Sequence, residues 1–111
     1  MTFAELLDYL DAHTPYRLLD GTPEETLAKA RSGAHRDPVA GAILTALFDR
    51  SGATGASAPV ERAQAVAALG PIRLEYMRDD APVEGFRMVE KIVHAIDGAF
   101  NDEALRLKGH S

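Results

Sequence analysis

Cysteine is absent from this chain of 111 residues. Disulfide bonds and thiolate metal sites are therefore excluded, and redox chemistry gives no information about the compartment. No window approaches the ~18 consecutive apolar residues of a membrane-spanning helix. The chain also does not open with the basic and then apolar segments of a signal peptide. We therefore expect a soluble, cytoplasmic protein with no membrane partner.

Clusters of basic residues are also lacking. The net charge is −5, and no run of Lys and Arg is longer than two residues. Nonspecific nucleic-acid binding depends on neutralising phosphates with clustered Lys and Arg, so we expect no nucleic-acid partner. Arg outnumbers Lys nine to three and alanine is abundant, a composition that suits a GC-rich bacterial genome.

Proline is placed where helices would begin. Its missing N–H is tolerated in the first helical turn, where that group has no intrahelical partner. Four of the five prolines concerned closely follow a Thr, Asp or Ser that can cap the turn. This placement of prolines and capping residues predicts an all-α protein, and the length predicts one domain over residues 1–111. The five prolines are Pro23, Pro38, Pro59, Pro71 and Pro82.

Capping signals and apolar spacing predict a compact, irregular bundle of five or six helices. Thr2 and Glu5 match a capping box, and Thr22 and Glu25 match a second one. Gly33 is a suitable residue to end the helix that the second box begins. The predicted helices cover residues 2–12, 22–32, 38–49, 58–69 and 83–100, with short helical pieces at 72–78 and 101–108.

The central helix of the bundle is predicted at about 38–49. Residues 39–48 carry no charge and one hydroxyl, and a helix that is apolar all round belongs in the middle of a bundle. We expect Ile43 and Leu47 to be almost fully buried, with the helix over 83–100 as the main packing partner.

Two connections have contrasting compositions. The segment 13–21 carries the large side chains Tyr16, Leu18 and Leu19, so we expect it to pack onto the helices. The segment 50–56 is rich in Gly, Ala, Ser and Thr, which predicts a mobile surface loop.

Some short patterns invite functional interpretations. Ala-Pro-Val-Glu occurs at 58–61 and again at 81–84, which indicates either a short helical repeat or the same helix-start chemistry used twice.

His-Arg-Asp at 35–37 matches a kinase triplet but lacks the Asn that must follow, so Asp37 is interpreted as a helix cap. The glycines at 52–55 lack the remaining residues of a phosphate-binding loop.

Glu90, His94 and Asp97 are spaced to lie on one side of the last long helix. Helical metal sites use such spacing, but a solvated helix edge has the same pattern. The other histidines are scattered along the chain, and no second Glu-x-x-x-His pattern occurs. We expect no metal and no cofactor.

Four residues are the candidates for a recognition patch. Tyr16 and Arg17 lie in the connection before the second predicted helix, and His35 and Arg36 lie in the connection after it. In the alternative interpretation, Arg17 pairs with a carboxylate such as Asp20 and the ring of Tyr16 packs on the body.

No serine has the setting of a nucleophile, and no carboxylate pair is placed for acid–base catalysis. We therefore expect a non-enzymatic protein–protein interaction module, such as a regulator, accessory subunit or inhibitor, that presents an acidic helical face to another protein. Self-association is left open. The alternative is a small helical ligand-binding or enzymatic domain with a cleft near the second helix.

We predict that protein purified without chelator or histidine tag contains no stoichiometric transition metal. Zinc sites need three or four converging ligands, and the ordered trio of Glu90, His94 and Asp97 comes from a single helix. Elemental analysis measures the metal content directly. About one metal ion per chain, lost in His94→Ala, would contradict this prediction.

Overall fold

Five α-helices form the regular structure. The computed structural model describes residues 1–81 and 83–109, with α1 (Phe3–His13), α2 (Pro23–Ser32), α3 (Pro38–Arg50), α4 (Arg62–Tyr76) and α5 (Val83–Gly109). Within these residues, β-structure is limited to one isolated bridge between Thr2 and Pro59. The predicted all-α class is therefore confirmed. None of the described helices is long and apolar enough to cross a lipid bilayer.

The first three helices begin as their capping signals predict. In α1, the Thr2 hydroxyl accepts from the Glu5 N–H at 3.1 Å, and the Glu5 carboxylate accepts from the Thr2 N–H at 2.9 Å. Thr22 and Glu25 repeat this arrangement in α2. The Asp37 carboxylate accepts from two backbone N–H groups of α3, at 3.1 and 3.2 Å. These side chains satisfy donors that a first helical turn leaves without partners.

Helix α3 lies in the interior, as predicted, but one side of it is open. Ile43 and Leu47 have no solvent-exposed area, which confirms their expected burial, whereas Ala42 is exposed. The predicted packing partner is wrong, because α3 packs mainly against α2 and α4 while α5 packs mainly against α4 and α1. Apolar composition alone does not say which neighbour covers which side of a helix.

Residues 50–56 do not form the mobile loop that their composition predicts. Ser51 and Ala56 are buried, and the Ala4 N–H of α1 donates to the Ala56 carbonyl at 2.7 Å. The Phe3 N–H donates in the same way to the Ala58 carbonyl at 2.9 Å. Both donors belong to the first turn of α1, which has no intrahelical acceptors for them. The loop is therefore held by backbone N–H groups of α1. Its own sequence gives no indication of these hydrogen bonds.

Helix α4 also departs from the prediction. It begins at Arg62, not at 58, because Pro59 pairs with Thr2 in the isolated bridge, and it continues through Pro71 to Tyr76. The Ala-Pro-Val-Glu segment at 58–61 therefore ends at the N-cap of the helix, Glu61, and the proline lies before the first helical turn and not within it. At the second copy, the expected helix start at Pro82 lies outside the described residues.

Pro71 costs the helix about 3 kcal/mol because it lacks an N–H and its ring crowds the preceding turn. Gly70 reduces this strain, since it has no Cβ to clash with the proline ring. The inner face of α4, which includes Leu69 and Ile72, is buried. Burial of a side chain of this size contributes about 1.5–3 kcal/mol, enough for two such residues to offset the proline.

Helix α5 runs unbroken over 27 residues, so the helix predicted over 83–100 and the short piece predicted at 101–108 are one element. At 1.5 Å per residue it is about 40 Å long, which accounts for the 49 Å longest dimension of the molecule. Gly98 lies where α1 crosses, and a Cβ there would be 3.0 Å from the Tyr9 hydroxyl oxygen. The glycine therefore leaves room for the end of the Tyr9 side chain.

We predict that Ile43→Asp prevents folding. Burying an unpaired carboxylate costs several kcal/mol, against a total stability of ~5–15 kcal/mol for a domain of this kind. Far-UV circular dichroism during urea titration should show no cooperative transition. Ala42→Asp is the matched control, because the neighbouring side chain is exposed, and it should keep the helical spectrum and the transition. Cooperative unfolding of Ile43→Asp at the wild-type midpoint would contradict the burial.

Candidate interaction surface

The two connections that carry the predicted binding residues come together beside α2. The buried His35 ring bridges them, because its Nε2 lies 2.8 Å from the Leu18 carbonyl while its Nδ1 accepts from the Asp37 N–H at 3.0 Å. An Nδ1 that accepts carries no proton, so the neutral ring donates through Nε2. His35 thus joins segment 14–21 to the start of α3.

Arg36 makes a second bridge between the same connections. Its guanidinium donates to the Leu19 carbonyl at 2.7 Å, and its backbone N–H donates to the Asp20 carboxylate at 3.1 Å. The Arg36 N–H and the Lys29 ammonium together lower the pKa of Asp20. Because this pKa lies below the unfolded value, the bonds of Asp20 stabilise the fold at neutral pH, and their contribution is lost as the pH falls through the lowered pKa.

The other two candidates lie in the first connection. Tyr16 is half-buried against the core, and Arg17 is exposed. Between them and α2, Leu18 is fully buried, and the Asp11 carboxylate accepts from its N–H at 2.8 Å. The predicted packing of this connection is therefore confirmed. Of the four candidates, His35 and Arg36 bond within the chain, Tyr16 packs on the core and Arg17 faces solvent.

A depression of about 770 Å³ lies between α2 and α3, in the region where the alternative interpretation expects a cleft. Arg31 at its rim pairs with Asp49 at 2.8 Å and lies 5.2 Å from the centre of the Phe48 ring. Its floor consists mostly of small side chains, among them Ala42 and Ala46. The depression is wide, and its rim carries the exposed Arg50 in addition to this ion pair.

The trio of Glu90, His94 and Asp97, considered as a metal site and not expected to be one, does not converge on one point. Glu90 pairs with Arg73 of α4 at 2.6 Å, and Asp97 pairs with Arg62 of α4 at 2.9 Å, while His94 is exposed. Among residues 1–81 and 83–109, no three His, Asp or Glu side chains are grouped as metal ligands. The two carboxylates therefore pair with α4, whose rotation on α5 is set by its buried side.

That rotation turns a second apolar face of α4 towards solvent. Three large side chains on this face are strongly exposed: Val66 (46 %), Leu74 (68 %) and Met77 (57 %). Small exposed residues lie between them at helical spacing. We call this surface the outer face of α4, and it consists of Ala63, Val66, Ala67, Gly70, Leu74 and Met77.

Sequence reasoning missed this face, although its signal was present. The spacing 63, 66, 67, 70, 74, 77 follows one side of a helix. The signal was divided by the expected helix end at Gly70, which assigned the two halves to different elements. A helix that is apolar on two sides also shows little contrast between its faces, and contrast is what marks an amphipathic helix.

The apolar surface continues past the end of α4. Met77 and the exposed Val83 line a depression of about 340 Å³ together with the half-buried Phe86. The distance along α4 from Ala63 to Met77 is about 21 Å at helical rise. The whole surface is therefore elongated, with α4 as its axis.

Charged side chains of both signs lie elsewhere, where α1 meets the end of α5. Arg106 lines the same depression as Glu5 and Asp8, and the amino terminus pairs with Glu103 at 2.9 Å. Glu5 and Asp8 are exposed there, and the Tyr9 hydroxyl donates to the exposed Asp102 at 3.0 Å. Partial burial, and then the bond and charge of Asp102, raise the pKa of Tyr9. This region is separate from the outer face of α4.

Comparison with known protein families, with curated proteins and with solved structures finds no match to this chain.

We predict that His35→Ala lowers the free energy of unfolding by roughly 1–3 kcal/mol, because it leaves the Leu18 carbonyl and the Asp37 N–H without their partner. His94→Ala is the matched control, since His94 is exposed on α5 and its loss should change stability by at most ~0.5 kcal/mol. Urea titration followed by circular dichroism measures both variants. Equal stabilities of the two variants would contradict the bridging role of His35.

Proposed function

We propose that the protein is a non-enzymatic protein–protein interaction module that binds through the outer face of α4. The single observation that carries this proposal is the exposure of Val66, Leu74 and Met77 along one side of a helix whose other side is buried. Contiguous exposed apolar patches on soluble proteins are typical of interaction sites. A regulator, accessory subunit or inhibitor would use such a face.

The chemistry of this face suits a helical partner. Its apolar side chains recur at the spacing of one helix side, as in complexes where helices pack along each other. The thioether of Met77 adapts to differently shaped partners. Small residues at 63, 67 and 70 allow a partner backbone to approach closely.

The buried inner face of α4 supports binding by holding the outer face in position. Arg62 and Arg73 pair with Asp97 and Glu90 of α5 along the edge of the outer face. Exposed ion pairs contribute little to stability, so the buried side chains and not these pairs set the orientation of α4. A preorganised surface loses less conformational entropy when it binds.

We predict that Leu74→Asp weakens binding of the partner by roughly 30-fold or more, since central apolar anchors of an interface contribute ~2 kcal/mol or more. Leu105→Asp is the matched control, because Leu105 is also an exposed helical leucine, at 66 % against 68 % for Leu74. Affinity capture from the source cells with quantitative mass spectrometry identifies the bound protein, and calorimetry with that purified protein measures the two variants.

The alternative, a ligand-binding or enzymatic domain, would use the depression between α2 and α3. A small molecule that raises the melting temperature, with the rise abolished by Arg31→Ala and retained by Leu74→Asp, would favour the alternative. Captured proteins that bind wild type, Leu74→Asp and Leu105→Asp equally, or no captured protein at all, would contradict the interaction module proposed for α4.

A further inference from the structure

We propose that His35 is a pH-sensitive latch: its neutral ring holds segment 14–21 on the body of the molecule, and protonation of the ring releases that segment. Release would expose the large apolar side chains Leu18 and Leu19. The latch and the outer face of α4 are formed by different residues, so this inference does not rest on the proposed function. It follows from the two hydrogen bonds of the ring, from its burial and from the charges on the elements around it.

The two ring nitrogens of His35 have opposite roles, and together these roles require the neutral ring. Nε2 donates to the Leu18 carbonyl at 2.8 Å, and Nδ1 accepts from the Asp37 N–H at 3.0 Å. A protonated ring carries a hydrogen on each nitrogen and has no acceptor. Its Nδ1–H would face the Asp37 N–H, and turning the ring over would not relieve this conflict, because both nitrogens would be donors.

Burial keeps water from supplying a new partner for the protonated ring. His35 is only 4 % exposed. A Cβ added at Gly41 of α3 would lie 3.0 Å from the His35 Cβ and 3.7 Å from the Cα of Ala30 in α2, so His35 lies where these two helices pack closely. A buried charge beside an unpaired donor is strongly unfavourable. The protonated ring therefore leaves this site for water, and both of its hydrogen bonds are lost.

The charged groups on the elements around His35 do not compensate for this loss. Arg36 and Asp37 follow it in the chain, segment 14–21 supplies Asp20, and α2 supplies Lys29. Both carboxylates are already engaged within the chain, since Asp20 pairs with Lys29 at 3.2 Å and Asp37 accepts from two N–H groups of α3. With two cations and two anions, these groups give the site no net charge that would retain a protonated ring.

The latch has a pH window of its own, because Asp20 remains ionised while histidine titrates. The Arg36 N–H, and then the bond from Lys29, lower the pKa of Asp20 from its ordinary value of 3.8. An unconstrained histidine takes up a proton at about pH 6.5. The opened chain therefore binds a proton that the closed latch excludes, so the closed latch loses stability as the pH falls below about 6.5 and regains it as the pH rises.

Release of the ring acts on segment 14–21, which connects α1 to α2 without regular structure. Leu18 is fully buried there, and Tyr16 and Leu19 are half-buried against the core. The Asp11 carboxylate accepts from the Leu18 and Leu19 N–H groups, at 2.8 and 3.0 Å. When the segment moves outward, these two bonds break as well, and three large apolar side chains become available to solvent or to a partner.

Amide hydrogen exchange followed by NMR tests the latch. Exchange is measured at about pH 7.5 and about pH 5.5, on either side of the ordinary histidine value, and each rate is divided by the rate of an unstructured peptide at that pH. The amides of Leu18, Leu19 and Asp37 report on the latch, because their hydrogen-bond acceptors are lost when it opens. The Leu47 amide, in the buried core of α3, reports on unfolding of the whole bundle.

In the wild-type protein, the protection of the three latch amides should fall about tenfold from the higher to the lower pH, the factor expected when a fold excludes one proton from a histidine. The Leu47 amide should remain more protected than the latch amides at both pH values, because the latch opens without unfolding of the helices. Protection of the latch amides that does not change with pH would overturn the latch, as would protection equal to that of Leu47.

Two complementary variants assign the effect to His35. His35→Gln keeps an N–H donor for the Leu18 carbonyl but does not titrate, so its corrected protection should be the same at both pH values. Replacing His13, His94 and His110 by Gln leaves His35 as the sole histidine of the four. This second variant tests the latch without altering it, and it should show the same fall as the wild type. An undiminished fall in His35→Gln, or no fall when His35 is the sole histidine, would refute the assignment.

Discussion

Burial of the inner face of α4 is the constraint on which the described surface depends. Leu69 and Ile72 lie against the rest of the bundle, and their burial carries the helix through Pro71 without a break. The unbroken helix aligns Val66 with Leu74 on one solvent-facing side. If the chain ended its helix at Gly70, as a local reading expects, these two residues would not share a surface.

A second set of contacts holds the other half of the molecule. His35 and Arg36 bond to the carbonyl groups of Leu18 and Leu19, so segment 14–21 is attached to the start of α3 although no regular structure joins them. Buried polar groups need such partners, and here the residues that looked most available for recognition supply them. The sequence alone therefore does not tell whether a polar residue in a connection binds a ligand or forms hydrogen bonds with backbone groups of its own chain.

The two surfaces of the molecule differ in what they can contribute to association. The acidic residues along α1 and α5 repel copies of the same chain at long range and keep a protein of net charge −5 dispersed. The outer face of α4 contributes apolar area, which is the main source of binding free energy.

Local chemistry in the sequence determined the helical class and the starts of α1, α2 and α3, because the capping bonds of Thr2, Thr22 and Asp37 involve residues within three positions of one another. It also determined the burial of Ile43. Tertiary structure alone decided the path of residues 55–60, since the carbonyl groups of Ala56 and Ala58 accept from N–H groups of α1, more than 50 positions away in the chain. It likewise decided that Pro71 lies inside a helix and that Val66, Gly70 and Leu74 form one face, because long-range burial outweighs a local helix-breaking signal.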